Sequence, residues 1–248
     1  MKRVALITGA AGGIGLATAR LFAEKGWLVV GVDHKQTSES AGMTQFIQAD
    51  VAQTEAWELI HERIIDRCGQ LDTLVHNAAI QICKPLVETS IDEWDATMAT
   101  NVRSVFLGSR CAYPLLQRSG GSIVNISSVH ANATSAGLAA YAASKGALLS
   151  LTRAMALEFG PSVRVNAVLP GAIDTPMLFA GLSRGHLSGH NIPAMVQELG
   201  KKHVLGRTGK PGEVARVIYF LADQEQSTFM TGQTITVDGG AIARLSTE

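Results

Sequence analysis

Seven short runs rich in Val, Ile and Leu punctuate the chain, at Val4–Ile7, Leu28–Val32, Phe46–Ile47, Leu71–His76, Ser122–Ile126, Val163–Leu169 and Thr234–Val237. They are nearly continuous rather than alternating, the pattern of strands covered on both faces. Between them, apolar residues recur at helical spacing over Ile14–Lys25, Glu55–Arg67, Ile91–Arg118, Ala139–Phe159 and Gly212–Ala222. Strand and helix therefore alternate from end to end. The expected fold is α/β: a single-domain, Rossmann-type, doubly wound parallel sheet of about seven strands with helices on both faces.

Local signals set some boundaries. Ser90 and Glu93 form a capping box, Gly26 stands where the C′ residue of the first helix belongs, and Pro114 is expected to end or kink the long third helix. The stretch 177–212 fits no element, mixing Gly181, Gly185, Gly189, Pro193 and Gly206 with short apolar groups. An excursion of that length inside a compact domain is expected to be a lid over a site. Residues 1–248 thus read as one domain carrying a lid at about 177–212.

Composition narrows the function classes. Of 248 residues, 46% are hydrophobic and 17% charged, enough apolar surface for a sizeable core. Lys+Arg and Asp+Glu both number 21, so electrostatic capture of nucleic acid or of an anionic membrane is not the main activity. No apolar run approaches the ~20 residues a spanning helix needs. Val4–Ile7 is too short for a signal peptide before glycines begin. The three cysteines, Cys68, Cys83 and Cys111, offer neither a disulfide framework nor a zinc site, and a cytoplasmic setting is expected. His186 and His190 have i, i+4 spacing, but no acidic residue between Leu178 and Gln197 completes a site, and no metal is expected.

The loop TGAAGGIG, Thr8 to Gly15, joins the first strand to the first helix. Gly9, Gly13 and Gly15 permit a tight turn, close approach of backbone to a pyrophosphate and close packing of helix on strand, while the helix N-terminus supplies N–H groups and partial positive charge. Asp33 closes the second strand 18 residues beyond Gly15. A carboxylate there accepts hydrogen bonds from both adenosine ribose hydroxyls and repels a 2′-phosphate, so NAD is favoured over NADP. His34 and Lys35 are the nearby groups that could offset such repulsion.

Tyr141 and Lys145 lie four apart on a helix and so share a face. A phenol of ordinary pKa near 10 is a poor base at neutral pH. Bringing it to about 7 takes ~4 kcal/mol of preferential stabilisation of the phenolate, which an adjacent ammonium and a cationic nicotinamide ring together can supply. Ser128, 13 residues before Tyr141, ends the strand-forming SIVNISS and so sits at the sheet edge where ligands bind.

TGAAGGIG, Asp33, Asp50-Val51, HNAA at 76–79, Asn101, NISS, YAASK at 141–145, LPGAIDT at 169–175 and TGQTITVDGG at 231–240 occur in order over essentially the whole chain. This series resembles the short-chain dehydrogenase/reductase family. The resemblance implies that Ser128 holds the substrate oxygen, Tyr141 transfers its proton, Lys145 lowers the tyrosine pKa and binds the nicotinamide ribose, and Asn101 holds a water in the proton relay. It also implies that Gly9, Gly12, Gly13, Ile14 and Gly15 cradle the pyrophosphate. By the same resemblance Asp50 and Val51 contact adenine, Asn77 and Ala78 line the adenosine ribose, and Pro170, Gly171, Ile173 and Thr175 flank the nicotinamide, the last two anchoring its carboxamide. One departure is visible: the family usually reads NNAG where this chain has HNAA, so His76 and Ala79 are substitutions, with adjustment rather than loss of cofactor binding expected.

His130 follows Ser128 by two positions and stands either in the substrate pocket or on an exposed loop. The helix Ala139–Phe159 carries few charges, so its outer face calls for a cover. The simplest is a second subunit, and the resemblance implies a homodimer or homotetramer. The leading activity is NAD(H)-dependent interconversion of a secondary alcohol and a ketone on a small molecule of sugar, polyol or hydroxy acid type. The alternatives are a 3-oxoacyl thioester reductase and a non-catalytic NAD(H)-binding regulator. Polar Ser183, Arg184, His186, Ser188, His190 and Asn191 in the lid suit a polyhydroxylated substrate, while Met177, Leu178, Phe179 and Leu182 suit a hydrophobic one.

Overall fold

A computed structural model of the chain describes residues 2–37, 41–183 and 191–243. Its centre is a seven-stranded sheet, built from β1 (Val4–Thr8), β2 (Leu28–Asp33), β3 (Gln45–Gln48), β4 (Thr73–His76), β5 (Ser122–Ile126), β6 (Arg164–Pro170) and β7 (Thr234–Val237). All pairings are parallel, and the spatial order is β3-β2-β1-β4-β5-β6-β7. The order reverses between β1 and β4, which opens a crevice above their carboxyl ends.

The strand runs are continuous because the sheet is covered twice. Ala5, Ile7, Val29, Val75, Val124 and Val168 pack on one side with Phe22 of α1 (Gly13–Glu24) and Val214 and Ile218 of α8 (Pro211–Ala222). On the other side Val4, Leu6, Val30, Leu74 and Ile123 meet α2 (Thr54–Cys68), α4 (Ser104–Ser119) and α5 (Ala139–Phe159) through Trp57, Ile60, Leu115, Leu116 and Met155. Adjacent residues of one strand thus serve opposite cores.

The Ser90 box forms at the start of α3 (Ile91–Met98), with Ser90 Oγ accepting from Glu93 N at 3.2 Å and Ser90 N donating to Glu93 at 3.0 Å. Gly26 takes φ +83° after α1, as its position predicts. Pro114 does not end its helix, since α4 continues to Ser119 and closes at Gly120. The long third helix is divided elsewhere, by a π-helical turn at Ala99–Arg103 between α3 and α4.

The segment 177–212 is also more regular than its composition suggests. It contains α6 (Pro176–Ser183) and α7 (Ile192–Lys201). Thr175 Oγ1 accepts from Leu178 N, and Asn191 accepts from Ala194 N, so each helix begins at a polar cap followed by proline. His186 and His190 lie outside the described residues. Among the described residues no helix is long and apolar enough to cross a membrane.

Candidate active site

Thr8, the last residue of β1, ties the two strands at the crevice together. Its hydroxyl accepts from Asn77 N at 3.0 Å and Ala78 N at 3.1 Å, and Asn77 Nδ2 donates to the carbonyls of Thr8 and Gly9 at 3.0 and 3.1 Å. This crowding explains the glycines. Gly9 has φ +67°, and a Cβ on Gly15 would stand 2.0 Å from the Gly9 oxygen. The first turn of α1 therefore presses against the strand end. Gly12 at its N-cap has no side-chain hydrogen bond, so the leading amides face the crevice uncapped.

That crevice is a cavity of about 650 Å³. At one end it is lined by Gly9, Gly12, Gly13, Ile14 and Asp33, along the middle by Asn77, Ala78, Pro170, Gly171, Ile173 and Thr175, and at the far end by Ser128, Tyr141 and Lys145. A smaller cavity of about 80 Å³ adjoins it, lined by Asp50 and Val51 with Asp33 and Ala78. Gly15 lies behind the wall as a packing residue. Asp33 is held in place by Ala11 N at 3.1 Å, Lys35 N at 3.0 Å and the His34 ring at 3.1 Å. An uncapped helix N-terminus with a carboxylate at the neighbouring strand end fits a dinucleotide: the amides meet the pyrophosphate and Asp33 meets a ribose.

At the other end Tyr141 is 7% exposed and lines the cavity with Ser128, whose hydroxyl accepts from His130 N at 3.2 Å. Burial pushes the Tyr141 phenol up to about 12, partly opposed by the Ser128 hydroxyl, while the nearby Cys83 thiol adds to the rise. Burial brings the Lys145 ammonium down to about 7. The expectation of a phenol lowered by its neighbour is therefore not met in the chain by itself. Lys145 Nζ donates to the Ile126 carbonyl at 2.8 Å and lies 5.5 Å from the centre of the tyrosine ring, so burial outweighs its field.

Asn101 is fixed by its side chain. It sits in the π-helical turn, 1% exposed, with Oδ1 accepting from Ile80 N at 2.8 Å and Nδ2 donating to Ile80 O and Ser144 Oγ at 2.9 and 3.0 Å. Both amide hydrogens are used, so this side chain has none left to donate to a relay water. Ser144 in turn donates to the Tyr141 carbonyl at 2.7 Å, which makes Asn101 a support for the helix that carries the phenol.

His130 faces the cavity, its ring edge-on to Tyr141 at 5.9 Å and Nδ1 3.0 Å from Thr134 Oγ1, and burial lowers its pKa. His76, the departure from the family pattern, points away from the crevice. Its ring is 3% exposed, bonded to Ser109 Oγ at 3.0 Å and packed on Trp57, and burial lowers it to about 3. Gln81, Leu199, Lys202 and His203 also line the cavity. The sequence held no sign of this beyond the placement of three of them in the expected lid.

The comparisons agree with this geometry. A family model described as enoyl-(acyl carrier protein) reductase matches residues 9–241. Cyclopentanol dehydrogenase of a Comamonas species is 37% identical over 252 residues, spanning 97% of each chain. The chain belongs to the short-chain dehydrogenase/reductase family. Among solved members, the aldohexose dehydrogenase of Thermoplasma acidophilum superposes with a TM-score of 0.94 at 34% identity, covering 99% of this chain and 96% of that one. ElxO with bound NADP gives 0.85 at 30% identity, covering 98% and 100%. As a short-chain dehydrogenase/reductase, the protein is an oxidoreductase acting on a CH–OH group, and its cofactor is a nicotinamide dinucleotide.

Proposed function

We propose that this enzyme interconverts a secondary alcohol and a ketone with NAD(H), on a small polar or polyhydroxylated substrate. The observation that carries the reading is that Ser128, Tyr141 and Lys145 line the same cavity as Asp33 and the glycine loop. The nicotinamide dinucleotide supplies the hydride acceptor or donor. Ser128 holds the substrate oxygen and Tyr141 moves its proton. Lys145, two per cent exposed and anchored to Ile126, would hold the nicotinamide ribose and favour the phenolate of Tyr141. Asn101 positions Tyr141 through Ser144. Asp33 favours a ribose with free hydroxyls, and α6, with Met177 and Leu178 on the cavity wall, is part of the lid.

The 3-oxoacyl thioester reading has in its favour a relative of that name in Thermotoga maritima, 36% identical over 252 residues. Against it stand Asp33 and the uncharged Ala10-Ala11-Gly12, which do not suit the NADPH that such reductases typically use. The complete Ser128, Tyr141 and Lys145 set opposes a purely regulatory role. We assign the protein to the cytoplasm, where its three free cysteines remain reduced. It assembles as a homodimer or homotetramer through the outer face of α5, where Ala143, Ser150, Ala154 and Leu157 are exposed.

The decisive experiment screens sugars, polyols, hydroxy acids, cyclic alcohols and 3-oxoacyl thioesters with NAD(H) and NADP(H). NADH formation from a secondary alcohol supports the reading. Turnover confined to oxoacyl thioesters with NADPH rejects it.

A further inference from the structure

The cavity wall is unevenly charged. Asp33 is the one acidic residue among those that line it, and it stands at the β2 end. Elsewhere on the wall two lysines, Lys145 and Lys202, meet no carboxylate lining with them. The Lys145 ammonium is held by the Ile126 carbonyl. Lys202 comes directly after α7 and is exposed. The contrast with its neighbour is informative: Lys201 is neutralised by Glu198, Nζ to Oε1 at 2.6 Å, whereas among the described residues no carboxylate pairs with Lys202. Glu198 is also the one acidic residue in the sequence between Met177 and Lys202, so the segment that supplies Met177, Leu178, Leu199 and Lys202 to the wall brings no second carboxylate.

The backbone under Lys202 is fixed. Its N–H donates to Leu199 O at 3.1 Å, His203 N donates to Gly200 O at 3.0 Å, and Leu205 N pins the turn to Gly239 O at 3.1 Å. Gly239 follows β7, and Ala241, two residues on, shares the cavity wall with Lys202. Along the sheet Asp33 ends β2, Ser128 follows β5 and the Lys202 turn is tied to the residues after β7. Lys202 therefore lies on the opposite side of Ser128 from Asp33, beyond the end where an adenosine ribose belongs. An unneutralised cation there draws anions towards the reacting end and forms a charge-assisted bond with a carboxylate.

We infer that Lys202 determines specificity by pairing with a carboxylate on the substrate while the secondary hydroxyl lies against Ser128 and Tyr141. The enzyme is then selective for a hydroxy acid and the matching oxo acid over neutral alcohols. This rests on the secondary-alcohol reading above and narrows its substrate class. The cofactor pyrophosphate is the other anion within the cavity, and the test separates the two.

The test uses 2-hydroxybutanoate, 3-hydroxybutanoate and 4-hydroxypentanoate, which vary the span between hydroxyl and carboxylate, each beside its uncharged carboxamide, with glycerol and cyclohexanol as neutral alcohols. The wild-type enzyme is expected to prefer one acid to its amide by about tenfold or more in kcat/KM, and NaCl at about 0.5 M should raise KM for the acid alone. Lys202→Met should lower kcat/KM for that acid about tenfold, mainly through KM, and leave its amide within about twofold. Lys202→Arg keeps the charge and should recover most of the loss, with Tm and NADH affinity unchanged in both variants. A wild-type enzyme that prefers the amides or the neutral alcohols overturns the inference. So does an acid-to-amide ratio that survives Lys202→Met, which leaves Lys202 a surface lysine, and so do equal losses on acid and amide, which mean a structural role. Weakened NADH binding with the ratio intact assigns Lys202 to the pyrophosphate and overturns it too. Wild-type enzyme that oxidises no secondary alcohol and reduces no ketone overturns the secondary-alcohol reading itself.

Discussion

Lys145 Nζ donates to the main-chain carbonyl of Ile126 at 2.8 Å and not to the phenol of Tyr141, although four-residue spacing puts both side chains on one face of α5. Burial leaves the ammonium with a pKa of about 7 in place of 10.5. Between those values the folded chain lacks a proton that the unfolded chain keeps, so stability rises with pH from about 7 towards 10. Lys145→Met should therefore melt several degrees higher than wild type at pH 7, and the gap should close by pH 9.5. Thermal scans across that range check it, and a variant less stable at pH 7 contradicts it.

Tyr141→Phe keeps the ring and removes the proton carrier. Turnover should fall roughly 10²–10⁴-fold while NADH still binds, as fluorescence titration would show. Activity close to wild type would move the proton to another group, with His130 the candidate because its ring stands 5.9 Å from Tyr141.

Asp33→Ala should improve NADPH binding relative to NADH by about tenfold, because it removes a carboxylate that would face the 2′-phosphate. Calorimetry on both cofactors measures the ratio. An unmodified enzyme that binds NADPH as tightly as NADH refutes the assignment.

His76 is neutral when folded, with a pKa of about 3 against 6.5, so the unfolded chain binds an extra proton as the pH drops below 6.5. By pH 5 this costs about 2 kcal/mol of stability. In His76→Asn, urea midpoints at pH 7.5 and pH 5 should lie closer together than in wild type. Gly108→Ala should destabilise by about 1–3 kcal/mol, because its methyl would lie 2.3 Å from Trp57 and 2.6 Å from His76.

For assembly, light scattering should give two or four times 26.2 kDa. Leu157→Glu, at a position 85% exposed on α5, should yield a monomer. A wild-type monomer at micromolar concentration would count against α5 as an interface.

The strands were legible because burial on both faces writes itself as unbroken Val and Ile, and Thr8, Asp33 and Ser128 follow from where those runs stop. The π-helical turn was not legible, since Ala99–Arg103 keeps helical composition and differs only in one extra residue per turn. α6 and α7 were hidden by the glycines around them, although Thr175-Pro176 and Asn191-Ile192-Pro193 carry start signals in retrospect. Spacing gave the adjacency of Tyr141 and Lys145 but not the depth of their burial, which in the chain by itself outweighs the field of the ammonium.

Between the π-helical turn and α5 runs a chain of hydrogen bonds, Asn101 to Ser144 to the carbonyl of Tyr141. Tyr141 and Lys145 stand on the inner side of α5, and Ala143, Ala154 and Leu157 on its outer side, so the wall of the reaction chamber is a single helix about 10 Å thick. Positions that look like ordinary surface are therefore the back of the catalytic wall. A contact made on that outer face bears on the same helix that carries the phenol.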